Sequence, residues 1–266
     1  DTLTNIIILE GVTTLPNKAF YNMSQIESVT LPESLEIIGD EAFFRCSSLK
    51  KIVLPKSLKK IYNDAFSECS NMISVSFPEN LELIETSVFS ECISIEAIEL
   101  PNTIRYLGRD TFYGCRKLKI VNIPTSLDYI PAGTFWGCYS LETIIVPKNI
   151  RTIGDRSFVD CYNLKKVTLS NGLEIIEPFA FYSTAIEELE LPSTITTIEG
   201  QVFQSSNLKK LTILAETPPA ISDTTFYLVP KSLIIYVPES AYSKYIEDPL
   251  WGVQNIQIIT NTPIEP

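Results

Sequence analysis

Six cysteines are the residues whose type and spacing first suggest chemistry in this chain. They recur at intervals of 23 residues: Cys46, Cys69, Cys92, Cys115, Cys138 and Cys161. An even number of regularly spaced cysteines can belong to a disulfide framework, a metal site, a catalytic thiol or simple packing. The 266 residues contain no histidine, so the usual general base near neutral pH and the commonest nitrogen ligand of zinc are both missing.

The cysteines belong to a repeat that runs through most of the chain. Its consensus is LPxSLxxIxxxAFxxCxxLxxIx, and each cysteine lies three residues after the phenylalanine. The phenylalanine recurs in ten copies: Phe20, Phe43, Phe66, Phe89, Phe112, Phe135, Phe158, Phe181, Phe203 and Phe226. Because a single coil of 22–23 residues cannot close a hydrophobic core by itself, stacked coils must bury these side chains against one another. The repeat therefore predicts a mainly β solenoid of about ten coils.

Two segments of each repeat are predicted to be strands. LxxIxL alternates apolar and polar positions, which is typical of a short strand with one face inward. The proline that follows has no N–H, so it ends the strand at the same place on every coil. SLxxI is expected to form a second, shorter extended segment on the opposite side. Equivalent strands of neighbouring coils then pair in parallel, about 4.8 Å apart.

The two ends of the chain indicate how the solenoid starts and stops. Residues 1–214 are expected to form repeats, and because they begin inside a coil we expect a cap or further repeats before Asp1. Residues 215–266 are expected to contain the last coil and a C-terminal capping segment, with a short helix near 239–247. The stretch AETPPAI, at 215–221, is the one plausible linker.

Composition argues against several classes of function. A formal net charge of −11 disfavours nucleic acid or an anionic membrane surface as a partner, because both attract clustered Lys and Arg. No apolar run approaches the roughly 20 residues that cross a bilayer as a helix. Carboxylates at repeat positions lie on separate coils, and the sequence has no glycine-rich phosphate loop. We therefore expect no enzyme activity, no cofactor and no metal site.

The motif LPxSLxxIxxxAFxxCxxLxxI resembles that of the BspA-like, or treponemal-type, leucine-rich-repeat family, over roughly residues 6–238. The resemblance implies a right-handed curved rod with a parallel concave sheet and a C-terminal cap. Family members are mostly bacterial secreted or cell-surface proteins, and several are associated with adhesion to host proteins or to other cells. The shared motif is structural, so the resemblance transfers no catalytic residue.

The resemblance also implies an extracellular or cell-surface location and a non-catalytic role. We expect a monomer that binds a protein or a glycan, with adhesion to host or other cells as its function. The alternative is a structural spacer, or stalk, that holds another domain away from a cell surface and has no ligand on these repeats. Since the motif itself is structural, any ligand has to be sought on the surface of the coils.

Residues that flank the inward Ile of LxxIxL point outward and form the first candidate surface. Curved repeat proteins commonly bind partners on such a sheet. Its middle exposes more apolar side chains than solubility requires, and an acidic spot lies nearer the C-terminus. The competing explanation is that β-branched residues simply favour strands. The candidate binding face comprises Glu99, Ile120, Asn122, Thr143, Ile145, Lys166, Glu188 and Glu190.

Aromatic residues close behind the repeat phenylalanines form the second candidate surface. Large aromatic side chains are enriched at interface hot spots and stack well on sugars. The alternative is that they lean on one another along the rod as a structural ladder, and aromatic residues are usual here in the family that the chain resembles. The candidate aromatic edge comprises Phe44, Tyr113, Trp136, Tyr139 and Tyr162.

The repeat also narrows the role of the cysteines. Equivalent side chains on stacked coils point the same way, whereas a disulfide needs its two Cβ atoms turned toward each other. Metal ligands in a line do not form the tetrahedron that zinc prefers. Where six residues lead from Phe to the next apolar anchor, as from Phe43 to Leu49, the site holds Cys, or Met23 in the first copy. Cysteine is missing where that turn is one residue shorter, as from Phe181 to Ile186. We predict buried free thiols that fill space beneath the turn.

Overall fold

The computed structural model of the chain describes residues 3–259 and shows a solenoid of stacked coils. Ten coils each contribute two short strands, which confirms the predicted parallel β solenoid. The LxxIxL segments form the ladder that we name the LxxIxL ladder: β1 (Asn5–Ile7), β3 (Ser28–Thr30), β5 (Lys51–Val53), β7 (Ser74–Ser76), β9 (Ala97–Ile98), β11 (Ile120–Val121), β13 (Thr143–Val146), β15 (Lys166–Leu169), β17 (Glu188–Leu191), β19 (Lys210–Ile213), β21 (Ile234–Val237) and, after the last coil, β22 (Ile256–Ile258).

The second strand of each coil lies in the SLxxI ladder, and every one of these strands has two residues. They are β2 (Thr14–Leu15), β4 (Ile37–Ile38), β6 (Lys60–Ile61), β8 (Leu83–Ile84), β10 (Tyr106–Leu107), β12 (Tyr129–Ile130), β14 (Thr152–Ile153), β16 (Ile175–Ile176), β18 (Thr197–Ile198) and β20 (Ala220–Ile221). In β2–β10 the second residue of the strand is buried, which keeps one apolar side chain of each strand in the core.

Pairing between coils follows the repeat length. All paired strands are parallel, and Lys51 of β5 faces Ser74 of β7, 23 residues later. The predicted alternation holds within the strands, since Lys51 and Val53 are exposed while Ile52 between them is buried. In the LxxIxL ladder, hydrogen bonding joins the strands in pairs up to β15, and the last four strands form one sheet.

The turns that contain the phenylalanine, here the AF turns, join the coils through a second set of backbone hydrogen bonds. Phe20 N donates to Ala42 O of the next coil at 2.7 Å, whereas Tyr21 N donates to Lys18 O within its own coil at 3.2 Å. Successive N–H groups of the turn thus point alternately to the next coil and to their own coil. This backbone contains a residue with left-handed φ before and after Ala19–Phe20, namely Lys18 (φ 61°) and Asn22 (φ 58°). Buried amides on this side of the coil therefore have partners.

The serine or threonine of LPxS also joins neighbouring coils. Ser57 Oγ donates to Leu35 O of the preceding coil at 2.6 Å, and Thr103 Oγ1 donates to Leu81 O at 2.8 Å. A short hydroxyl side chain at this position satisfies a carbonyl for which neither ladder provides a donor. The polar residue in the motif is thus part of the contact between coils.

The ten repeat phenylalanines form one continuous stack through the core. Neighbouring rings have centroid separations of 5.1–6.3 Å and interplanar angles of at most 18°. The rings from Phe43 to Phe203 are buried, and Phe20 and Phe226 at the two ends are partly buried. The stack gives each coil a contact with only its two neighbours, which is the expected energetic pattern of a repeat protein.

The C-terminal segment closes this stack. A single 3₁₀ turn leads into α1 (Tyr242–Glu247), which confirms the short helix expected near 239–247. Trp251 is fully buried and packs edge-on against Phe226, with 5.6 Å between ring centroids. Its Nε1 donates to Pro219 O at 2.8 Å, and Tyr245 beside it is also fully buried. Residues 239–258 thus cover the last coil.

The interpretation of 215–221 as a linker is wrong. Ala215 is buried, and Ala220 and Ile221 form β20, which pairs with β18 of the preceding coil. The two prolines that suggested a linker lie just before this strand, where the coil needs an extended backbone, and Pro219 supplies the carbonyl that accepts the Trp251 indole N–H. The segment is an ordinary part of the tenth coil.

One contact between coils lacks backbone pairing in both ladders within residues 3–259. The SLxxI ladder is continuous from β2 to β10 and from β12 to β20, but not between β10 and β12. In seven other coils, the residue that follows the SLxxI strand donates its N–H to a carbonyl of the preceding coil, as Gly108 N does to Ile84 O at 2.8 Å. Pro131 occupies the equivalent position and has no N–H to donate. Strands β11 and β13 are likewise not paired with each other, although each pairs with the strand on its other side. We name this contact between coils the Pro131 interface.

Candidate functional site

The structure places the six cysteines in the core as free thiols with no exposed surface. Each Sγ lies 3.1–3.3 Å from the carbonyl oxygen of the phenylalanine in the preceding coil. Cys92 Sγ, for example, donates to Phe66 O at 3.1 Å, and the same oxygen accepts Cys69 N–H at 3.2 Å. Sequence reasoning assigned the thiols to packing and missed this weak donor between coils.

Burial makes these thiols chemically inert. It raises the pKa of Cys46 and of Cys92 from the usual 9.0 to about 12, because an apolar core disfavours the thiolate. It raises the pKa of the other four cysteines as well. Since the thiolate is the nucleophile and the metal ligand, a buried neutral thiol serves neither purpose. Within residues 3–259, no group of three or more acidic, Cys or His side chains is arranged to hold a metal ion.

The candidate binding face lies on the outer surface of the LxxIxL ladder. All eight of its residues are exposed, and they extend over five successive coils from Glu99 to Glu190. Ile120 and Ile145 are each 69% exposed, on strands β11 and β13 of adjacent coils. By the repeat register they are diagonal neighbours, separated by Asn122 and Thr143. The structure therefore brings the central residues of this surface together.

Asn122 has a structural role in addition to its place on this face. Its Oδ1 accepts the Leu100 N–H at 2.7 Å, and its Nδ2 donates to Leu100 O at 2.8 Å. The side-chain amide thus bonds to both backbone groups of a residue in the preceding coil, where a ladder would use backbone partners. Sequence reasoning missed this role, because an outward Asn in a strand column gives no sign of what it bonds.

Two columns of alternating charge flank the ladders and were missed in the sequence analysis. One runs beside the SLxxI ladder and the other beside the LxxIxL ladder, where Ile73 interrupts it. Opposite charges on adjacent coils form ion pairs in both columns, at 3.1 Å between Lys59 and Glu36 and 3.2 Å between Lys119 and Glu96. The first column is Glu36, Lys59, Glu82, Arg105, Asp128, Arg151 and Glu174; the second is Glu27, Lys50, Glu96, Lys119, Glu142, Lys165, Glu187 and Lys209.

The candidate aromatic edge does not form one surface but three separate contacts. Phe44 stacks on Tyr21 of the preceding coil, with 5.2 Å between ring centroids. Tyr113 meets Trp136 edge-on at 5.4 Å. The third contact is a stacked pair, Tyr139 and Tyr162, at 5.1 Å. All five rings lean on a neighbour in another coil, as the structural-ladder alternative expected, and Tyr139 and Tyr162 are also exposed.

Beside Trp136 the AF turns form a groove, which we name the turn-edge groove. It has a volume of about 280 Å³ and runs across four coils. Tyr182 and Phe179 form its far wall, with 6.1 Å between their ring centroids, and Val159 lies buried at its floor. Sequence reasoning noted Trp136 but not the groove. The groove is lined by Trp136, Arg156, Val159, Phe179, Tyr182, Gln201 and Gln204.

The repeat geometry agrees with a search of protein-family models. The model described as the BspA type leucine-rich repeat region matches six copies, over residues 1–119 and 106–232. These two segments cover most of the chain and contain all the coils up to the tenth. No curated protein matches the chain. In the part of the chain that the structure describes, no helix is long and apolar enough to span a bilayer.

Solved structures of bacterial leucine-rich-repeat proteins share this fold. A leucine-rich repeat protein from Bacteroides ovatus is 21% identical, with a TM-score of 0.78 over 96% of this chain and 69% of that one. A leucine-rich cell surface protein from Faecalibacterium prausnitzii is 19% identical, with a TM-score of 0.60 over 98% of this chain and 89% of that one.

A leucine-rich repeat protein from T. pallidum is 30% identical, with a TM-score of 0.56 over 62% of this chain and 79% of that one. The structures less than 25% identical to this chain show only that the fold is shared, whereas the family model matches the sequence of the repeat. Repeat register, buried columns and the matched family model lead to one conclusion. This chain belongs to the BspA-type leucine-rich-repeat family.

Proposed function

We propose that the chain is a non-catalytic binding module of a secreted or cell-surface protein, and that it adheres to host or other cells through a protein partner. The partner contacts the outer face of the LxxIxL ladder around Ile120 and Ile145. The observation that carries the proposal is the 69% exposure of both isoleucines on adjacent coils. Single exposed apolar residues are common, but two diagonal neighbours form an apolar spot that a partner can cover.

Polar residues surround this spot. Glu99 lies on its N-terminal side, and Lys166, Glu188 and Glu190 lie on its C-terminal side, all exposed. Glu188 forms a loose ion pair with Lys210 of the next coil at 3.9 Å. An apolar centre with a charged rim is the usual composition of a protein interface, in which the centre supplies affinity and the rim supplies specificity.

Membership of the BspA-type family supports the same role. Repeat solenoids present long surfaces on rigid coils, which suits binding rather than catalysis. The F. prausnitzii structure that shares the fold is described as a cell surface protein. A surface location would place the apolar spot where another cell or its matrix can reach it.

The alternative function is a structural spacer with no ligand on these repeats. The observation that favours it is the uninterrupted phenylalanine stack from Phe20 to Phe226, which stiffens the rod along its length. A spacer needs stiffness but no apolar spot on its surface. The exposure of Ile120 and Ile145 is therefore what separates the two functions.

Adhesion of beads coated with the purified chain tests the proposal. The beads are applied to cultured epithelial cells and to purified extracellular-matrix proteins, with Ile145→Asp as the test variant. Val53→Asp is the matched control, because Val53 lies in the same outward column and is 70% exposed, but it is four coils away. We expect saturable adhesion that Ile145→Asp weakens at least about tenfold, as for a modest interface hot spot, and that Val53→Asp leaves unchanged.

Two results would contradict the proposal. No adhesion of the unmodified chain to any surface in the panel would favour the spacer. Adhesion that both variants reduce equally, or that neither reduces, would move the binding site away from Ile145. Melting curves of both variants exclude a folding defect, since exposed strand positions contribute little to stability.

A further inference from the structure

We propose that the turn-edge groove binds a neutral sugar ring of an oligosaccharide. The inference rests on the proposed role as a binding module, but it concerns a different surface from the LxxIxL ladder and a different class of ligand. Its basis is a shallow depression lined by aromatic rings and two side-chain amides, together with the carboxylate of Asp160, which is bonded to the lining Trp136. Each of these groups has a separate part in recognising a pyranose.

The apolar part of the groove suits the C–H face of a sugar. Trp136 and Tyr182 present half-buried rings two coils apart, and Val159 lies buried between them in the same column. Phe179 stands edge-on to Tyr182 and has the Arg156 guanidinium over its ring, so Trp136 and Tyr182 are the rings proposed to contact the sugar. Aromatic faces are electron-rich, so they attract the polarised C–H groups that one side of a pyranose ring presents.

The polar part suits hydroxyl groups. Asp160 Oδ2 accepts the indole N–H of Trp136 at 3.4 Å, and Gln201 Nε2 donates to Gln204 Oε1 at 2.7 Å. Both the carboxylate and the amide pair keep further lone pairs or N–H groups for a ligand. A sugar hydroxyl donates and accepts at the same time, so it can bond to a carboxylate and an amide alike.

Charge argues for a neutral sugar. The Arg156 guanidinium pairs with Asp155 and stacks on the Phe179 ring, 4.8 Å from its centroid. Its positive charge is therefore already compensated. Asp160, which accepts the indole N–H of the lining Trp136, is negative, and the chain carries a formal net charge of −11. A carboxylated sugar would meet repulsion in this position, whereas an uncharged one would not.

The backbone around the groove disfavours a peptide. Phe158 N donates to Ala180 O at 2.9 Å and Asp160 N donates to Tyr182 O at 3.1 Å, so the amides of this edge already join one coil to the next. An extended peptide cannot add to it as a strand. A proline-rich peptide has few N–H groups to donate to the amide and carboxylate oxygens beside the groove.

Tryptophan fluorescence provides the test. The chain has two tryptophans, and Trp251 is fully buried in the cap, so a ligand in the groove changes mainly the emission of Trp136. The probes are neutral oligosaccharides ending in glucose, galactose, mannose or N-acetylglucosamine, a sialylated oligosaccharide and a decaproline peptide. We expect a saturable change with at least one neutral probe, with a dissociation constant in the millimolar range that is usual for one sugar ring (about −4 kcal/mol).

Variants locate the binding. Tyr182→Ala and Gln204→Ala are each expected to weaken it at least fivefold. Tyr227→Ala is the matched control, because it occupies the same column in the tenth coil, is 52% exposed and lies outside the groove. Ile145→Asp is expected to leave sugar binding unchanged, so the groove and the LxxIxL ladder can succeed or fail independently.

Three results would overturn the inference. They are no fluorescence change with any neutral probe, binding of the decaproline or the sialylated probe in preference, or sugar binding that survives both groove variants. Circular dichroism of each variant shows whether its coils are folded, and a variant that is unfolded is replaced by Tyr182→Leu, which keeps an apolar side chain. If the unmodified chain adheres to cells but binds none of the neutral probes, this inference alone is refuted and the proposed function stands.

Discussion

The native thiols are predicted to resist Ellman's reagent. At pH 8 we expect none of the six cysteines to react within minutes in the folded protein, and all six to react once the chain is unfolded. The reason is that the reagent needs both a thiolate and an open path to the sulfur. Each sulfur is fully buried and bonded to a phenylalanine carbonyl of the preceding coil.

The size of the effect follows from the pKa of the thiols. A cysteine with the usual pKa of 9.0 is about one-tenth thiolate at pH 8, whereas Cys46 and Cys92, with a pKa of about 12, are thiolate to about one part in ten thousand. The thiolate fraction alone therefore slows the reaction about a thousandfold. Lack of access slows it further, so the observed rate reports how often the coil around each thiol opens.

The assay is labelling at each cysteine, read by mass spectrometry over a series of urea concentrations below the unfolding transition. The control is Met23→Cys, which places a thiol at the same column of the first repeat, where Met23 is 41% exposed. This seventh thiol is expected to react within minutes. Its rapid reaction would show that the reagent is competent and that burial, rather than the turn itself, protects the other six.

The Pro131 interface is expected to divide the six cysteines into two groups that react at different urea concentrations. Cys46, Cys69, Cys92 and Cys115 lie before the interface, and Cys138 and Cys161 lie after it. Because backbone pairing is missing there in both ladders, we expect the thiols to become reactive in two groups rather than one. Rapid reaction of the buried thiols in the native protein, or fewer than six free thiols after unfolding, would refute the burial of free cysteines.

Two further predictions concern the ladders and the acidic turns. Glu85 N donates to Ile61 O at 2.9 Å in the intact part of the SLxxI ladder. Glu85→Pro copies the residue found at 131 and removes this donor, so it is expected to lower the free energy of unfolding by about 1–3 kcal/mol in urea titrations. An unchanged midpoint would contradict the role given to this N–H. Burial, and to a lesser extent the charge of Glu41, raises the pKa of Asp64. The ionised Asp64 carboxylate therefore destabilises the fold at neutral pH. This destabilisation disappears as the pH falls through the pKa that Asp64 has in the folded state. Asp64→Asn is therefore expected to stabilise the protein by a few tenths of a kcal/mol at pH 7 and to have no effect near pH 3, where the carboxyl is protonated in both states; a stability gain of equal size at both pH values would show that charge is not the cause.

Much of the fold could be predicted because each buried column repeats apolar residues at a spacing of 22–23 residues. Ten copies of Phe, with Ile, Val or Leu at every inward strand position, leave little freedom in which side chains face the core, and stacking follows from the inability of one coil to bury them. The short helix before Trp251 was predictable for a similar reason, since the repeat stops there. A signal that recurs ten times is stronger than any single propensity.

The parts that were not predicted depend on single residues whose partners lie one coil away. Pro131 interrupts the SLxxI ladder because it lacks the N–H that the equivalent residues of other coils donate to the preceding coil. Asn122 bonds to the backbone of Leu100, which nothing in its own repeat indicates. The turn-edge groove forms because Val159 stands in a column where neighbouring coils have large aromatic rings, Trp136 and Tyr182. Such features become visible when the repeats are aligned and each column is read for its exceptions.

The alternating charge columns show what near-identical coils need beyond a core. The buried Phe column is the same in all ten coils, and the Ile and Cys columns change little between Cys46 and Cys161, so these columns hardly penalise pairing that slips by one coil. The charges do, because Glu96 faces Lys119 in the native stack and would face Glu142 after such a slip. Each exposed pair contributes only about 0.2–1 kcal/mol, but a slip would exchange attraction for repulsion along both columns at once. Like charges directly opposite on neighbouring strands are unfavourable, so the surface columns fix the register that the core leaves open.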